Sequence, residues 1–237
     1  MAMRGFRFNF ISSSQFGLIV NNVSNYGSPA RNVEKIAVPY RNGDVALDLG
    51  TYENIIVQYE VSLYKNTETM IPQIAEWLLA SKGYGRLEDD WHPNEFRLGL
   101  CYESIEWIMS SLSRYGRATI SFDCKPQRFL TDGESMEMFD TLGTQVTIQN
   151  PTAFPSKPLI QFYGNGSLTV NGYEMTITNN TDMYIYIDCE TMQCYRGNTN
   201  MNNYVTMDEF PVLKSGTNTI TGDNLNQLRI IPRWWRL

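Results

Sequence analysis

The chain has 237 residues, of which 42% are hydrophobic and 13% aromatic, and its formal net charge is −6. A chain of this length can form a large hydrophobic core without stabilisation by disulfides or metal ions. The composition excludes a largely disordered chain and a coiled coil. The acidic balance excludes tight nucleic-acid binding by the whole surface. No run of 18 apolar residues and no secretory signal is visible, so we expect a soluble protein without a membrane span.

The first third of the chain has the period-two alternation that is typical of strands. Phe6, Phe8 and Phe10 alternate with polar residues and predict a strand with one apolar face. Asn42-Gly43 is a strong signal for a tight hairpin turn. The sequence therefore predicts a hairpin, together with other strands in the same region, at residues 16–23, 33–40, 45–49 and 55–63.

One amphipathic helix is predicted after Thr69, because the apolar residues that follow lie on one helical face. These residues are Ile71, Ile74, Ala75, Leu78 and Leu79. We expect Thr69 to cap the helix, Pro72 to lie within its first turn and Gly83 to supply the left-handed residue that ends it. Trp77 is interpreted as a core or rim aromatic residue rather than a ligand-stacking one.

The sequence predicts mainly strands in the rest of the chain. We expect strands at 96–108 and 116–124, the second ended by Pro126, and a domain boundary near residue 135 in a polar, acidic stretch. Short strands follow, with hairpin turns predicted at Asn165-Gly166 and Asn171-Gly172. This spacing favours an antiparallel β-sandwich.

No catalytic or metal-binding constellation is visible in the sequence. His92 is the only histidine, and no nucleophile elbow accompanies it. Glu88-Asp89-Asp90 is either a pair of carboxylates for glycoside hydrolysis or a solvated acidic turn. Cys189 and Cys194 have the spacing of a C-x4-C metal pair, but no second pair accompanies them, and a structural zinc site needs four converging ligands. We therefore expect all four thiols to be reduced: Cys101, Cys124, Cys189 and Cys194. We therefore predict no enzyme, no cofactor and no metal.

Several motifs resemble those of the distal tail protein family of long-tailed siphophages, and they occur in the same order along the chain as in that family. The hairpin at 38–44 resembles the family's V-P-G-R-N-G-D motif, with Tyr40 where the family usually has glycine. A tyrosine resists the positive φ that glycine accepts. The other similar segments are the helix and acidic turn at 74–79 and 83–90, the strand at 116–126, and the second-half motifs at 168–172, 188–195, 211–220 and 230–234.

The resemblance implies a mainly β fold. Residues 1–135 would be a ring-forming N-terminal β-sandwich with one α-helix and a projecting β-hairpin, and residues 136–237 a galectin-like C-terminal β-sandwich. It implies that the hairpin from 35 to 48 lies on a neighbouring copy. The candidate interface residues are Arg41, Asn42, Gly43 and Asp44.

The resemblance also implies a function. Such proteins form a homo-hexameric ring at the distal end of the phage tail, in a virion that is assembled in the host cytoplasm. The tail tube protein binds one face, and a tail-tip, lysin or fibre protein binds the other. Genome DNA would pass through without specific binding, and six chains at −6 would bring −36 to the ring.

Two other classes of function stay open. The first is a carbohydrate-binding module of the tail that recognises host cell-wall sugars, with Trp234 and Trp235 stacking on sugar rings. Against it, Trp234 is expected to pack the two halves of the chain together. The second is a peptidoglycan hydrolase.

Overall fold

A computed structural model describes residues 4–24, 26–110, 115–139, 145–178, 183–223 and 227–237. The chain divides into two compact units, residues 1–128 with Leu237 and residues 129–236. The predicted fold class is confirmed: the described residues are mainly β-strands, with one α-helix.

The first unit is built on one antiparallel sheet. Its strands run in the order β2-β1-β7-β8-β10-β6-β3, and β9 also pairs with β10. The elements are β1 (Phe6–Phe8), β2 (Ile11–Ser12), β3 (Ile19–Ser24), β4 (Arg31–Ala37), β5 (Asp44–Tyr52), β6 (Ile55–Leu63), α1 (Thr67–Leu79), β7 (Gly85–Asp89), β8 (Glu95–Leu100), β9 (Ile108–Met109) and β10 (Gly116–Leu130).

Helix α1 and the sheet share the core of this unit. Ile74 and Leu78 are fully buried, because the apolar stripe of the helix faces the buried residues of β1, β6 and β10. Phe6 stacks on Tyr59 with ring centroids 4.4 Å apart. Trp77 stacks on Phe16 at 4.7 Å, which confirms its interpretation as an aromatic residue of the core rim.

Predicted details of the first strand and of both helix ends are wrong. Phe10 is exposed, because it and Asn9 adopt φ of 67° and 50° and turn the chain before the alternation can continue. The helix begins at Thr67 after Asn66, so Pro72 lies beyond its first turn. Ala80 follows its last residue, and Gly83 is three residues further on.

The second unit contains two antiparallel sheets. Their orders are β11-β21-β13-β16-β17-β18 and β12-β20-β14-β15-β19. The strands are β11 (Glu137–Phe139), β12 (Val146–Asn150), β13 (Leu159–Tyr163), β14 (Gly166–Val170), β15 (Tyr173–Ile177), β16 (Tyr184–Asp188), β17 (Gln193–Arg196), β18 (Thr199–Asn200), β19 (Val205–Met207), β20 (Gly216–Asp223), β21 (Gln227–Ile231) and β22 (Trp235–Arg236).

Residues from both sheets form one core. Ile160 and Phe162 of one sheet lie in the same buried cluster as Leu168, Val170 and Ile220 of the other. Alternate residues of each strand point into this cluster, which defines a β-sandwich. The predicted sandwich of the second half is therefore present.

A buried asparagine explains the turn motif at 211–220. The Asn218 side chain donates to the carbonyl oxygens of Lys214 and Gly216, both at 2.9 Å. Its oxygen accepts from the Lys214 backbone N–H at 2.7 Å and from Asn171 Nδ2 at 2.6 Å. A buried amide that makes these bonds ties two turns to β20, because unpaired polar atoms in a core are costly.

Two predictions about strand connections are wrong. Asn165-Gly166 is not a hairpin turn, because β13 and β14 belong to different sheets. Asn171-Gly172 does join β14 to β15, with φ of 51° and 89°. Pro126 does not end its strand: β10 runs on to Leu130. The pairing of β10 with β6 stops at Cys124, before the proline. The missing N–H of Pro126 therefore removes no hydrogen bond between these two strands.

Candidate oligomer interface

Strands β4 and β5 form a two-stranded hairpin of their own, which we call the arm (31–52). The register pairs Ile36 with Val45 and Glu34 with Leu47. Almost every arm residue is exposed. An isolated two-stranded hairpin is marginally stable in water, so this arrangement favours a role in which another surface covers the arm.

Residues directly opposite each other share a face, so one face of the arm is mainly apolar, with Glu34 its charged member, and the other face carries more charged residues. Ile36, Val45 and Leu47 share one face and are 45%, 38% and 49% exposed. The other face carries Lys35 opposite Ala46, and Asp44 opposite Ala37. Exposed apolar residues that lie side by side mark an interaction surface.

Polar contacts fix the base of the arm. Arg31 donates to Asp48 at 2.9 Å and to the Tyr52 hydroxyl at 3.0 Å. The hydrogen bond to Tyr52 and the charge of Asp48 raise the pKa of Arg31. The register shifts beside Arg31, and Gly50, with φ of 69°, makes the irregular backbone possible. These contacts join the two strands to each other at the base of the arm.

The tip of the arm spans the predicted interface residues. Arg41, Asn42, Gly43 and Asp44 are adjacent and exposed, and the connection occupies residues 38–43 rather than a two-residue turn. Tyr40 adopts φ of 63° and is fully exposed, so it takes the left-handed conformation that tyrosine resists. Whether these residues form an interface stays a prediction.

Neither the apolar face nor the base of the arm is predicted from the sequence. The alternation of Val45, Leu47 and Leu49 is the signal for the face. Alternation indicates only a strand, because it does not tell whether the apolar face packs on the core or lies in solvent.

The acidic segment Glu88-Asp89-Asp90 serves the local fold. Asp89 accepts hydrogen bonds from the Tyr59 hydroxyl at 3.0 Å and from the backbone N–H of His92 at 2.8 Å. Burial, and next the charge of Asp89, raise the pKa of Tyr59. Glu88 accepts from Arg86 at 2.8 Å. Glu88 and Asp89 thus end β7 and bind neighbouring groups, whereas Asp90 is exposed in the turn that follows.

The residues considered for metal binding do not converge in the described part of the chain. There, no group of three histidine, cysteine or acidic residues has the geometry to hold an ion. All four cysteines are buried, free thiols. Burial raises the pKa of Cys101 and Cys194 to about 11 and that of Cys124 and Cys189 to about 12. They are small core residues rather than nucleophiles.

The aromatic residues considered for sugar stacking pack inside the second unit. Trp234 belongs to its buried core. Trp235 stacks on Phe154 with centroids 4.5 Å apart and donates to the Pro155 carbonyl at 2.9 Å. The predicted packing of Trp234 between the two halves stays untested. Among the described residues, no helix has the length and hydropathy that crossing a membrane requires.

The fold is that of phage tail hub and baseplate proteins. The Dit (gp 19.1) protein of phage SPP1, described as a paradigm of the hub adsorption apparatus in phages of Gram-positive bacteria, superposes with a TM-score of 0.74, with 11% identity and 100% of both chains covered. A chain of the phage p2 baseplate in its activated conformation with Sr gives 0.55, with 11% identity and 97% coverage of both chains. No protein-family model and no curated protein sequence matches this chain.

Proposed function

We propose that this protein is a structural hub of a siphophage tail. Six copies form a ring at the distal end of the tail, between the tail tube protein and a tail-tip, lysin or fibre protein. The observation that carries this proposal is the full-length likeness to the SPP1 hub protein, which covers 100% of both chains. A match over both units favours the hub role over an isolated sugar-binding module.

The arm supports the ring. A ring of identical subunits needs two different surfaces on each copy, one of which contacts the other surface on the next copy. The uncovered apolar face of the arm, with Ile36, Val45 and Leu47, supplies one such surface. In this proposal residues 1–135 build the ring through the arm, and residues 136–237 form the galectin-like outer domain. The chain works by holding partners, and it catalyses no reaction.

The particle mass in solution tests the ring. Light scattering on the full chain should give six times the 27.3 kDa of one copy, alone or after addition of purified tail tube protein. A gold-labelled antibody should mark the distal end of the tail on intact virions. A monomeric mass under both conditions, or label along the whole tube, would contradict the hub role.

A deletion tests the part that the arm plays. Removing residues 38–46 takes away the tip and Val45 of the apolar face, while both buried cores stay complete. We expect folded monomers, with unchanged circular dichroism in the aromatic region. A deletion variant that still has the mass of the ring would mean that other surfaces close it.

A further inference from the structure

An open groove lies on the outer face of the first unit's sheet. Its volume is about 680 Å³, and the lining residues come from β3, β6, β10 and the segment 104–108. Core residues of β6 and β10 point to the opposite face, so Glu60 and Thr119, which pair across the ladder, point outward. Ile108 at the rim is 78% exposed.

The groove carries charges of both signs. Glu60 and Glu106 line it together with Arg117. Glu60 accepts a hydrogen bond from Asn22 at 3.3 Å, and the Arg117 guanidinium lies 5.1 Å from the centre of the Tyr115 ring. In the described ranges no ion pair joins Glu106 or Arg117 to another residue. The groove therefore presents two carboxylates and one guanidinium to solvent.

The arm tip carries the matching charges. Arg41 lies in the connection between the strands and Asp44 at the start of β5; both are exposed, and neither forms an ion pair with any residue that the structure describes. Ion pairs that stay fully exposed contribute little to stability. Charged groups that become desolvated at an interface favour a partner with complementary charges and disfavour one with like charges. The tip therefore offers one cation and one anion, and the groove offers carboxylates and a guanidinium with which they can pair.

We propose that the arm tip of one copy binds in this groove of the next copy. Arg41 then pairs with Glu106 and Asp44 with Arg117, while the exposed Ile108 meets the apolar side of the arm. This inference rests on the proposed ring and names the surface that receives the arm.

A second copy is the occupant that fits these observations. The tip residues are exposed, so the arm does not occupy the groove of its own chain. The tip and the groove are two different surfaces, and a contact between different surfaces of identical copies closes a ring when its rotation allows. The charges fix the register of that contact, which an apolar face alone would leave free to slide.

A charge exchange tests the pairing. Arg41→Glu and Glu106→Arg should each lower the association constant of the full chain at least about tenfold, since each places like charges together. The double variant restores opposite charges in reversed order and should recover most of the association. Lys35→Glu is the matched control, because Lys35 lies on the polar face of the arm away from the tip. Sedimentation velocity measures all four proteins.

A disulfide tests the position independently of charge. Asn42→Cys and Ser104→Cys in one chain should form disulfides between copies under mild oxidation, and each single variant should not. The native thiols are buried and do not compete. If the wild type forms a ring but the double charge variant does not recover or the disulfide does not form, this inference is wrong and the ring proposal stands. A wild type that is monomeric even with tail tube protein overturns both.

Discussion

Arg233 donates to Asp188 across 2.6 Å and joins the residue after Pro232 to the end of β16. A second bond from the same guanidinium, at 3.3 Å, makes the contact bidentate. Burial alone would raise the pKa of Asp188, but the Arg233 hydrogen bonds and charge outweigh it and hold the pKa below its ordinary value. Arg233 itself has a φ of 57°. The pair links two of the motifs on which the family resemblance depends.

Asp188→Asn should lower the unfolding free energy at neutral pH by about 1.5–3 kcal/mol, the usual value of hydrogen bonds to charged groups. Because the folded-state pKa is depressed, the stabilisation is fully present above the unfolded pKa of about 3.9 and is lost as pH falls through the folded pKa. The wild type and the variant should therefore converge in stability as the pH is lowered below about 4. Urea unfolding at pH 7 and at pH 3 measures both effects.

Glu190→Gln is the control for this prediction. Glu190 pairs with Lys157 at 3.5 Å, but both side chains are at least half exposed. We expect a change within about 0.5 kcal/mol at either pH. A loss for Asp188→Asn that is as large at pH 3 as at pH 7 would show that packing, rather than the charge, sets its contribution.

Leu78 and Leu79 offer a matched pair on helix α1. Leu78 is fully buried in the first unit's core, whereas Leu79 is 42% exposed. Leu78→Ala should cost about 2–5 kcal/mol through lost transfer energy and the cavity left behind, and Leu79→Ala clearly less. Urea unfolding followed by tryptophan fluorescence measures the difference, since Trp77, Trp91 and Trp107, three of the five tryptophans, pack against this core. Equal losses would place the helix in another orientation.

The apolar face of the arm should matter for association and not for folding. Leu47→Asp puts a charge on that face, and Ala46→Asp puts the same charge on the polar face. We expect Leu47→Asp to lower the association constant at least tenfold, which is about 1.4 kcal/mol. Ala46→Asp should have little effect. Sedimentation velocity separates the two, and equal effects would mean that net charge rather than the apolar face decides.

The four native thiols should react only when the fold opens. All are buried, and raised pKa values keep them protonated at neutral pH. Alkylation without reductant should modify none in the native protein and four after denaturation, as counted by mass spectrometry. Tyr40→Cys, at a fully exposed position, is the positive control and should react at once. A native protein that is alkylated as fast as this variant would contradict the burial.

Strands with a fully buried face could be predicted closely from the sequence. The alternation from Ile55 to Leu63 gave the bounds of β6, since every second residue lies in the core. The first strand was predicted too long because alternation continues through Phe10, where the backbone turns. The helix was predicted to start three residues late, since Asn66, not Thr69, precedes it, in a left-handed conformation without a side-chain cap.

Long-range pairing could not be predicted. Asn165-Gly166 and Asn171-Gly172 carry the same local signal, yet only the second lies between paired strands. The partners of β13 are β16 and β21, which local sequence does not specify. The arm tip was predicted from its own motif. The groove was not, because it is assembled from strands and a segment far apart in the chain.

The first residues of the second unit pack against the segment around Trp234. Gly133 lies against Trp234, and a Cβ at this glycine would overlap the Trp234 backbone nitrogen. Leu130 donates its N–H to the Trp234 carbonyl at 2.9 Å, and Gly133 accepts from the Arg233 N–H at 2.7 Å. Residues before the predicted boundary near 135 therefore complete the packing around a buried tryptophan.

A fragment of residues 129–236 should fold as a monomer and be more stable than one of residues 136–236. The shorter fragment loses the contacts of Leu130 and Gly133 with the segment around Trp234, which then has two unpaired backbone groups. Gly133→Ala in the full chain should also destabilise the second unit, because the added Cβ would overlap the Trp234 backbone. Gly27→Ala is the control, since a Cβ at that position would meet nothing within 4 Å. Thermal unfolding by circular dichroism measures all four proteins. Equal midpoints for the two fragments would show that residues 129–135 contribute nothing to the second unit.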